Sequence, residues 1–338
     1  MTPLAVGALS AAASSRSHAP PRDRLRAQPH RWSQIAERGS LWGMRFTAWS
    51  YRWLGRHVCG ALVHAIVAYF FLTDRKGRRA SAAYLRRMYA TPEGRAALGS
   101  PPGRWQSFLH YREFALSIVD RIGIWFGHVD DFSYEMLGEE HLDRLAEQGR
   151  GAILVGAHLG SFDALRLLAE RKKSIVNVLM FTANAERINT LFRELSPDMD
   201  ARVIRVDPTS VESVFEIREC LRRGELVAIL GDRVEPGEQS RAVRIPLLGD
   251  PVELSQAPYL LAALLGCPVL MILAFRERSR SYAVFAEVLA ERVRSPRGER
   301  ERGASEVLAR YAERLEHYCK RYPLQWFNFF DYWQDEAR

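Results

Sequence analysis

The sequence predicts an α/β protein, a mostly parallel sheet flanked by helices, with a helical membrane-associated arm in front of it. Three observations lead there. From residue 138 onward, short apolar runs alternate with amphipathic stretches, the pattern of strand and helix units that build a parallel sheet. The 338 residues are 47% hydrophobic and 26% charged, ordinary globular composition with length enough for one large domain or two modest ones. Charge is divided unevenly: residues 1–110 hold 17 Lys/Arg against 4 Asp/Glu, whereas residues 111–338 hold 31 against 36. A basic front third calls for an anionic partner, a nucleic acid or an anionic membrane surface.

The elements follow in order. Residues 1–30, rich in Ala, Ser, Pro and Arg, are expected to be a disordered basic segment, and they lack the charged start and long apolar run of a secretory signal. Residues 31–105 read as the helical arm. Trp42, Phe46, Trp49 and Trp53 recur on one helical face with Arg45, Arg52 and Arg56 beside them. The run 57–73 is apolar except for His57 and His64, a few residues short of the ~20 that span a bilayer. Rings beside arginines suit a helix in the headgroup layer, so the arm is expected to lie on a membrane surface. The competing reading packs both helices on the body with the tryptophans as core. Nucleic acid is disfavoured, because no recognised binding motif accompanies the rings.

The Pro/Gly-rich stretch 91–104 is the expected turn region between the arm and an α/β domain at 106–338. A helix is predicted over 106–129, with Phe108, Tyr111, Ala115, Ile118, Ile122 and Trp125 on its apolar face. Strands are expected at 151–158, 174–180, 201–206, 226–232, 268–275 and 281–289. Helices are expected from Ser210 to Gly224, over "SQAPYLLAALLG" and at 303–322. "LLGDPVEL" reads as a Pro/Gly turn, and the "QWFNFFDYW" tail fits either a core lid or an interfacial anchor.

Ligands of such sheets bind where strands end. Two strand ends carry polar residues out of place in a core: His158, and Asp232–Arg233. "AHLGSFDA" sets His158 and Asp163 five residues apart. A continuous helix would hold them ~140° apart. A strand–turn–helix bent at Gly156 and Gly160 can bring the carboxylate to the imidazole, fixing its tautomer so that it accepts a proton. The bland alternative is a turn histidine and an aspartate at a helix start. No G-x-S-x-G nucleophile elbow, HExxH or CxxC pair occurs, and the four cysteines sit in apolar or helical contexts.

This stretch resembles the His-x4-Asp motif of glycerolipid-type acyltransferases, and more closely the bacterial lipid A biosynthesis (lauroyl/myristoyl) acyltransferase family. The resemblance runs through "WSQIAERGSLWGMRF", "YFFLTDRKGRRASAAYLRRMY", "LGEEHLDRLAEQGRGAILVGAHLGSFDALR", "GDRVEPGEQSRAVRIPLLGDPVELSQAPYLLAALLGCPVL" and "QWFNFFDYW". The order of these blocks is specific where the histidine motif alone is not. It implies transfer of an acyl group from acyl-ACP or acyl-CoA, as co-substrate, to a hydroxyl of a membrane lipid. A lipid A precursor, a lysophospholipid or a glycolipid would qualify. The place implied is the cytoplasmic face of a bacterial inner membrane, held peripherally or monotopically, with no metal and no bound cofactor.

In that reading His158 deprotonates the hydroxyl and Asp163 holds its ring. Backbone amides of Gly160 and Ser161 are the expected donors to the oxyanion. Arg233 is expected on a phosphate or carrier group, oriented by Asp232. "FTANAER" adds Asn184 and Arg187 as looser matches. The chain departs from the family in its short membrane segment and its first 30 residues. Two alternatives stay open: a thioester or ester hydrolase using the same pair, and a non-catalytic membrane-binding module.

Overall fold

The computed structural model describes residues 63–125, 128–162, 174–181, 202–206, 211–235, 238–294 and 299–333. The Trp42–Trp53 stripe lies outside them. Helix α1 covers 63–73, and α2 (Arg75–Ala90), α3 (Pro92–Leu98) and α4 (Arg104–Trp125) follow. Asp74 separates the first two helices. Its carboxylate caps α2 through the Gly77 amide at 3.0 Å and accepts the Tyr111 hydroxyl of α4 at 3.0 Å. The expected turn region at 91–104 contains α3, because Thr91 caps it, Pro92 opens it and Gly99 closes it in the left-handed region. Among the described residues no helix is long and apolar enough to cross a membrane.

Strand β1 (Ser133–Leu137), helix α5 (Glu139–Glu147) and strands β2 (Ala152–Gly156), β3 (Val176–Phe181) and β4 (Arg202–Val206) come next. Helix α6 (Val211–Arg222) leads to β5 (Leu226–Leu230), then β6 (Ala242–Leu247) and β7 (Asp250–Ser255). The described residues end with α7 (Ala257–Leu265), β8 (Val269–Arg278), β9 (Ser281–Ala290), α8 (Arg300–Arg321) and the segment 322–333.

Seven strands form one sheet in the order β1-β9-β8-β2-β5-β3-β4. All neighbours run parallel except β8 and β9, which form an antiparallel hairpin, so the predicted mostly parallel sheet carries an antiparallel edge. Successive side chains of β2 and β8 alternate between two cores. Ile153, Val155, Met271, Leu273 and Phe275 face α7, α8, the β6–β7 hairpin and α2. Leu154, Leu270, Ile272 and Ala274 face Ile124 of α4 and Leu142 and Leu145 of α5. Covering both faces is what lets parallel strands be apolar throughout.

Strand β1 was not expected from the sequence, and two further features differ from that reading. Residues 242–255 form a separate two-stranded hairpin in place of a simple turn. It turns at Leu248 and Gly249, which have φ of 53° and 90°, and it pairs Pro246 with Pro251. A two-stranded ribbon has only edges, so it tolerates prolines that a central strand would not. Helix α2, assigned to the arm by sequence, sends Tyr84, Leu85 and Met88 into the main core beside Tyr259 and Tyr311. Leu85 is fully buried and Leu264 of α7 is mostly exposed. Leu85→Ala is therefore expected to lower the unfolding free energy by about 2–5 kcal/mol and Leu264→Ala by less than about 0.5 kcal/mol, measured by chemical denaturation.

Candidate active site

Strands β2 and β5 are parallel neighbours with one constant register, Ala152 opposite Leu226 through Gly156 opposite Leu230. The Gly231 amide continues the ladder to the Gly156 carbonyl at 3.0 Å. One step further in that register stand His158 and Asp232. The His158 Nδ1 lies 2.8 Å from Asp232 Oδ1, and its backbone amide donates to Asp232 Oδ2 at 3.0 Å. Sequence adjacency suggested Asp163 as the partner of this ring; Asp163, Asn184 and Arg187 lie outside the described residues. The carboxylate on Nδ1 is that of Asp232, which the sequence reading had assigned to Arg233.

Asp232 has no solvent exposure. Its Oδ2 also accepts the Trp326 indole N–H and the Asn328 amide, each at 3.1 Å. Burial alone would push this carboxyl up. The His158 ring, the Arg233 charge and the Trp326 indole outweigh burial and hold it well below the usual carboxylate range. An ionised carboxylate only accepts, so Nδ1 of His158 carries the ring proton and Nε2 keeps its lone pair. Burial and the cationic Arg233 lower the His158 pKa from its ordinary 6.5, with Asp232 opposing them, which leaves the ring neutral at neutral pH. Its side chain is 27% exposed.

The last segment of the chain forms one wall. Phe327 donates its amide to the His158 carbonyl at 2.8 Å, and Leu159 and Trp326 form an antiparallel bridge. Gln325 locks this segment to β8 by exchanging two hydrogen bonds with the Arg276 backbone, at 2.8 and 3.0 Å. Arg233 bonds Asn328 Oδ1 through Nε at 2.9 Å and through a terminal nitrogen at 2.6 Å, and its guanidinium lies over Phe330. Asn328 thus links Arg233 to Asp232. The tail left open between lid and anchor is buried wall at Trp326, Phe327, Asn328 and Trp333.

The two amides expected at the oxyanion are already engaged. That of Gly160 donates to the Gln325 carbonyl at 2.8 Å and that of Ser161 to the Ala274 carbonyl at 2.7 Å. They fix the turn, and the positive charge near the ring comes from Arg233 and Arg121, both of which bear on His158. Among the described residues no group of three or more His, Cys, Asp or Glu side chains could hold a metal. Burial pushes the Cys267 thiol up to about 11 and raises Cys319 well above its ordinary value, so neither is a thiolate near neutral pH.

Trp326, Asn328 and His110 were not singled out by sequence, since nothing local marks them. The His158–Asp232 pair did leave a signal: both residues stand two positions beyond the ends of apolar strands.

Gly160 has φ of 77°, and a Cβ there would approach the Ala274 carbonyl oxygen to 2.2 Å. Gly160→Ala should cost at least about 1–3 kcal/mol of stability, seen as a lowered Tm, and displace the His158 turn. His110, fully buried, has its pKa lowered by burial from 6.5 to about 4. The unfolded chain therefore binds a proton between those values that the folded chain does not. Its contribution to stability is complete above pH 6.5 and lost as pH falls to about 4, by roughly 3 kcal/mol. Denaturation of the wild type and His110→Gln across that window should show the smaller loss in the variant.

The family model described as bacterial lipid A biosynthesis acyltransferase matches residues 110–335, from the buried His110 through every strand to the wall carrying Trp326 and Asn328. No curated protein matches the chain. With well over half of its length matched, across both residues of the pair, the chain belongs to the bacterial lipid A biosynthesis acyltransferase family, transferases that move acyl groups to a lipid.

Proposed function

We propose that this protein transfers a fatty acyl group from a thioester carrier, acyl-ACP or acyl-CoA, to a hydroxyl of a membrane lipid, with His158 as general base. The observation that carries this is the His158–Asp232 pair at 2.8 Å, with the Arg233 and Arg121 charges bearing on the ring and every cysteine among the described residues buried. His158 Nε2 takes the acceptor's hydroxyl proton as its oxygen bonds to the thioester carbonyl carbon. The tetrahedral oxyanion collapses, the carbon–sulfur bond breaks, and the imidazolium returns the proton to the departing thiolate. No acyl-enzyme forms. Arg233 and Arg121 supply positive charge for the oxyanion or for a phosphate of either substrate. The lipid A precursor, a lysophospholipid and a glycolipid all present the required hydroxyl.

The surface supports a lipid acceptor. Tyr69 and Leu72 of α1 and Trp105 and Phe114 of α4 are exposed. Phe71 meets Phe108 and Tyr111 edge-on, which makes these two helices neighbours. Arg75, Lys76, Arg79 and Arg104 are exposed in the same stretch. Rings and aliphatic side chains interleaved with cations fit the surface of an anionic bilayer, on which the protein would sit peripherally, at the cytoplasmic face of the inner membrane.

The test uses detergent-solubilised protein with acyl-ACP or acyl-CoA and a bacterial lipid extract, following thiol release and the mass of every lipid. A lipid gaining one acyl mass with wild type and not with His158→Ala is expected. Free fatty acid matching the released thiol would overturn transfer in favour of hydrolysis. In Asp232→Asn, the three N–H donors around Oδ2 keep oxygen there and turn the amide nitrogen toward Nδ1, which forces the other tautomer. Its turnover should fall about 10⁴-fold with the fold intact. Wild-type activity should fall as pH drops through the lowered pKa of His158, about tenfold per pH unit.

A further inference from the structure

We propose that His110 and Trp326 are positioning residues, a relay that ties helices α2 and α4 to the carboxylate holding His158. This rests on His158 acting as the base, but its geometry stands apart from the identity of any substrate.

His110 is buried on α4, and both ring nitrogens are occupied. Nε2 lies 2.8 Å from the Trp326 carbonyl oxygen and Nδ1 3.1 Å from the Ser81 hydroxyl of α2. A neutral ring satisfies both contacts in one way: Nε2–H donates to the carbonyl while the serine hydroxyl donates to Nδ1. Trp326 is in turn held on every side. Tyr84, Tyr332 and Trp333 pack edge-on against its indole at 5.1, 4.7 and 5.7 Å. Its indole N–H then reaches Asp232 Oδ2 at 3.1 Å.

The sequence of contacts is Ser81, His110, Trp326, Asp232, His158. Each step is a hydrogen bond between buried or half-buried groups. Oδ2 holds three donors and Oδ1 one, so the carboxylate plane is set by the indole and the Asn328 amide and presents Oδ1 to the ring. Removing the indole donor frees negative charge on the carboxylate to act on His158. Removing His110 releases the carbonyl that fixes the indole. The charged groups bearing on His158 are Asp232 and Arg233 after β5 and Arg121 of α4. All three remain in place in both variants, so the change that reaches His158 passes through the hydrogen bonding of Asp232.

The experiment reads the ring directly. Full-length protein with ¹⁵N-labelled histidine is titrated by NMR, and His158 is assigned by the signal lost in His158→Gln. Wild type should show the Nδ1–H tautomer and a midpoint below 6.5. Trp326→Phe should raise that midpoint by about half a unit. His110→Phe should raise it by less, and His110→Gln, whose amide nitrogen replaces the Nε2 donor, should restore it. Near-ultraviolet circular dichroism reports folding, and if Trp326→Phe does not fold the His110 pair decides. An unchanged midpoint in folded variants overturns the relay, as does His110→Gln shifted as far as His110→Phe. Acyl transfer is assayed alongside: a shifted ring without wild-type transfer refutes the function and leaves the relay standing.

Discussion

A carboxylate removed from water must find hydrogen bonds and opposite charge, or folding loses several kcal/mol. At Asp232 this demand organises the site. Its two oxygens collect the His158 ring and backbone amide, the Trp326 indole and the Asn328 amide, which come from different parts of the chain. The strand ends can meet only if β2 and β5 are neighbours in register. The indole and amide can arrive only if the last segment folds back along the His158 turn. One buried charge therefore constrains strand order, register and the path of the C-terminus together.

The same constraint explains what could be read in advance. The alternation of apolar runs and amphipathic stretches located six of the nine strands, because each is a local property of a few residues. His158 and Asp232 stood out as polar residues beyond apolar strands. Their partnership did not, because β5 enters the sheet between β2 and β3 and strand order is not written in local pattern. Sequence adjacency favoured Asp163, which lies outside the described residues, while the sheet brings Asp232, 74 positions away, onto the ring. The β6–β7 hairpin escaped for another reason: its prolines break the period that marks a strand. Trp326 and Asn328 had no local mark, since their value lies in what they face.

Charge states follow from burial and have chemical consequences. The buried thiols Cys220, Cys267 and Cys319 are raised and protonated, while the Asp232 carboxylate is ionised and the ring beside it is neutral. A site arranged in this way can accept a proton from a hydroxyl and has no ready nucleophile of its own. The direct attack by the acceptor proposed above would require both substrates at His158 together. Engagement of the Gly160 and Ser161 amides within the turn adds to this. The turn is rigid because those amides are used, and charge compensation falls to the arginines.

In the proposed reaction both substrates reach His158, and the helical layer packs against the wall beside it. Helix α4 bears exposed Trp105 and Phe114 on one stretch and buried His110 on the same helix. Phe114 lies 5.2 Å from Phe327 and 5.5 Å from Phe329, and Phe330 carries Arg233 above its ring. Apolar surface proposed to meet lipid is thus continuous, ring by ring, with the wall of the site. A headgroup hydroxyl at the membrane surface need not leave the interface to approach such a wall. The His158 ring and the helix proposed to face lipid are parts of one packed unit, joined through His110 and Trp326, so the position of the proposed base is set by the same layer that would receive the acceptor.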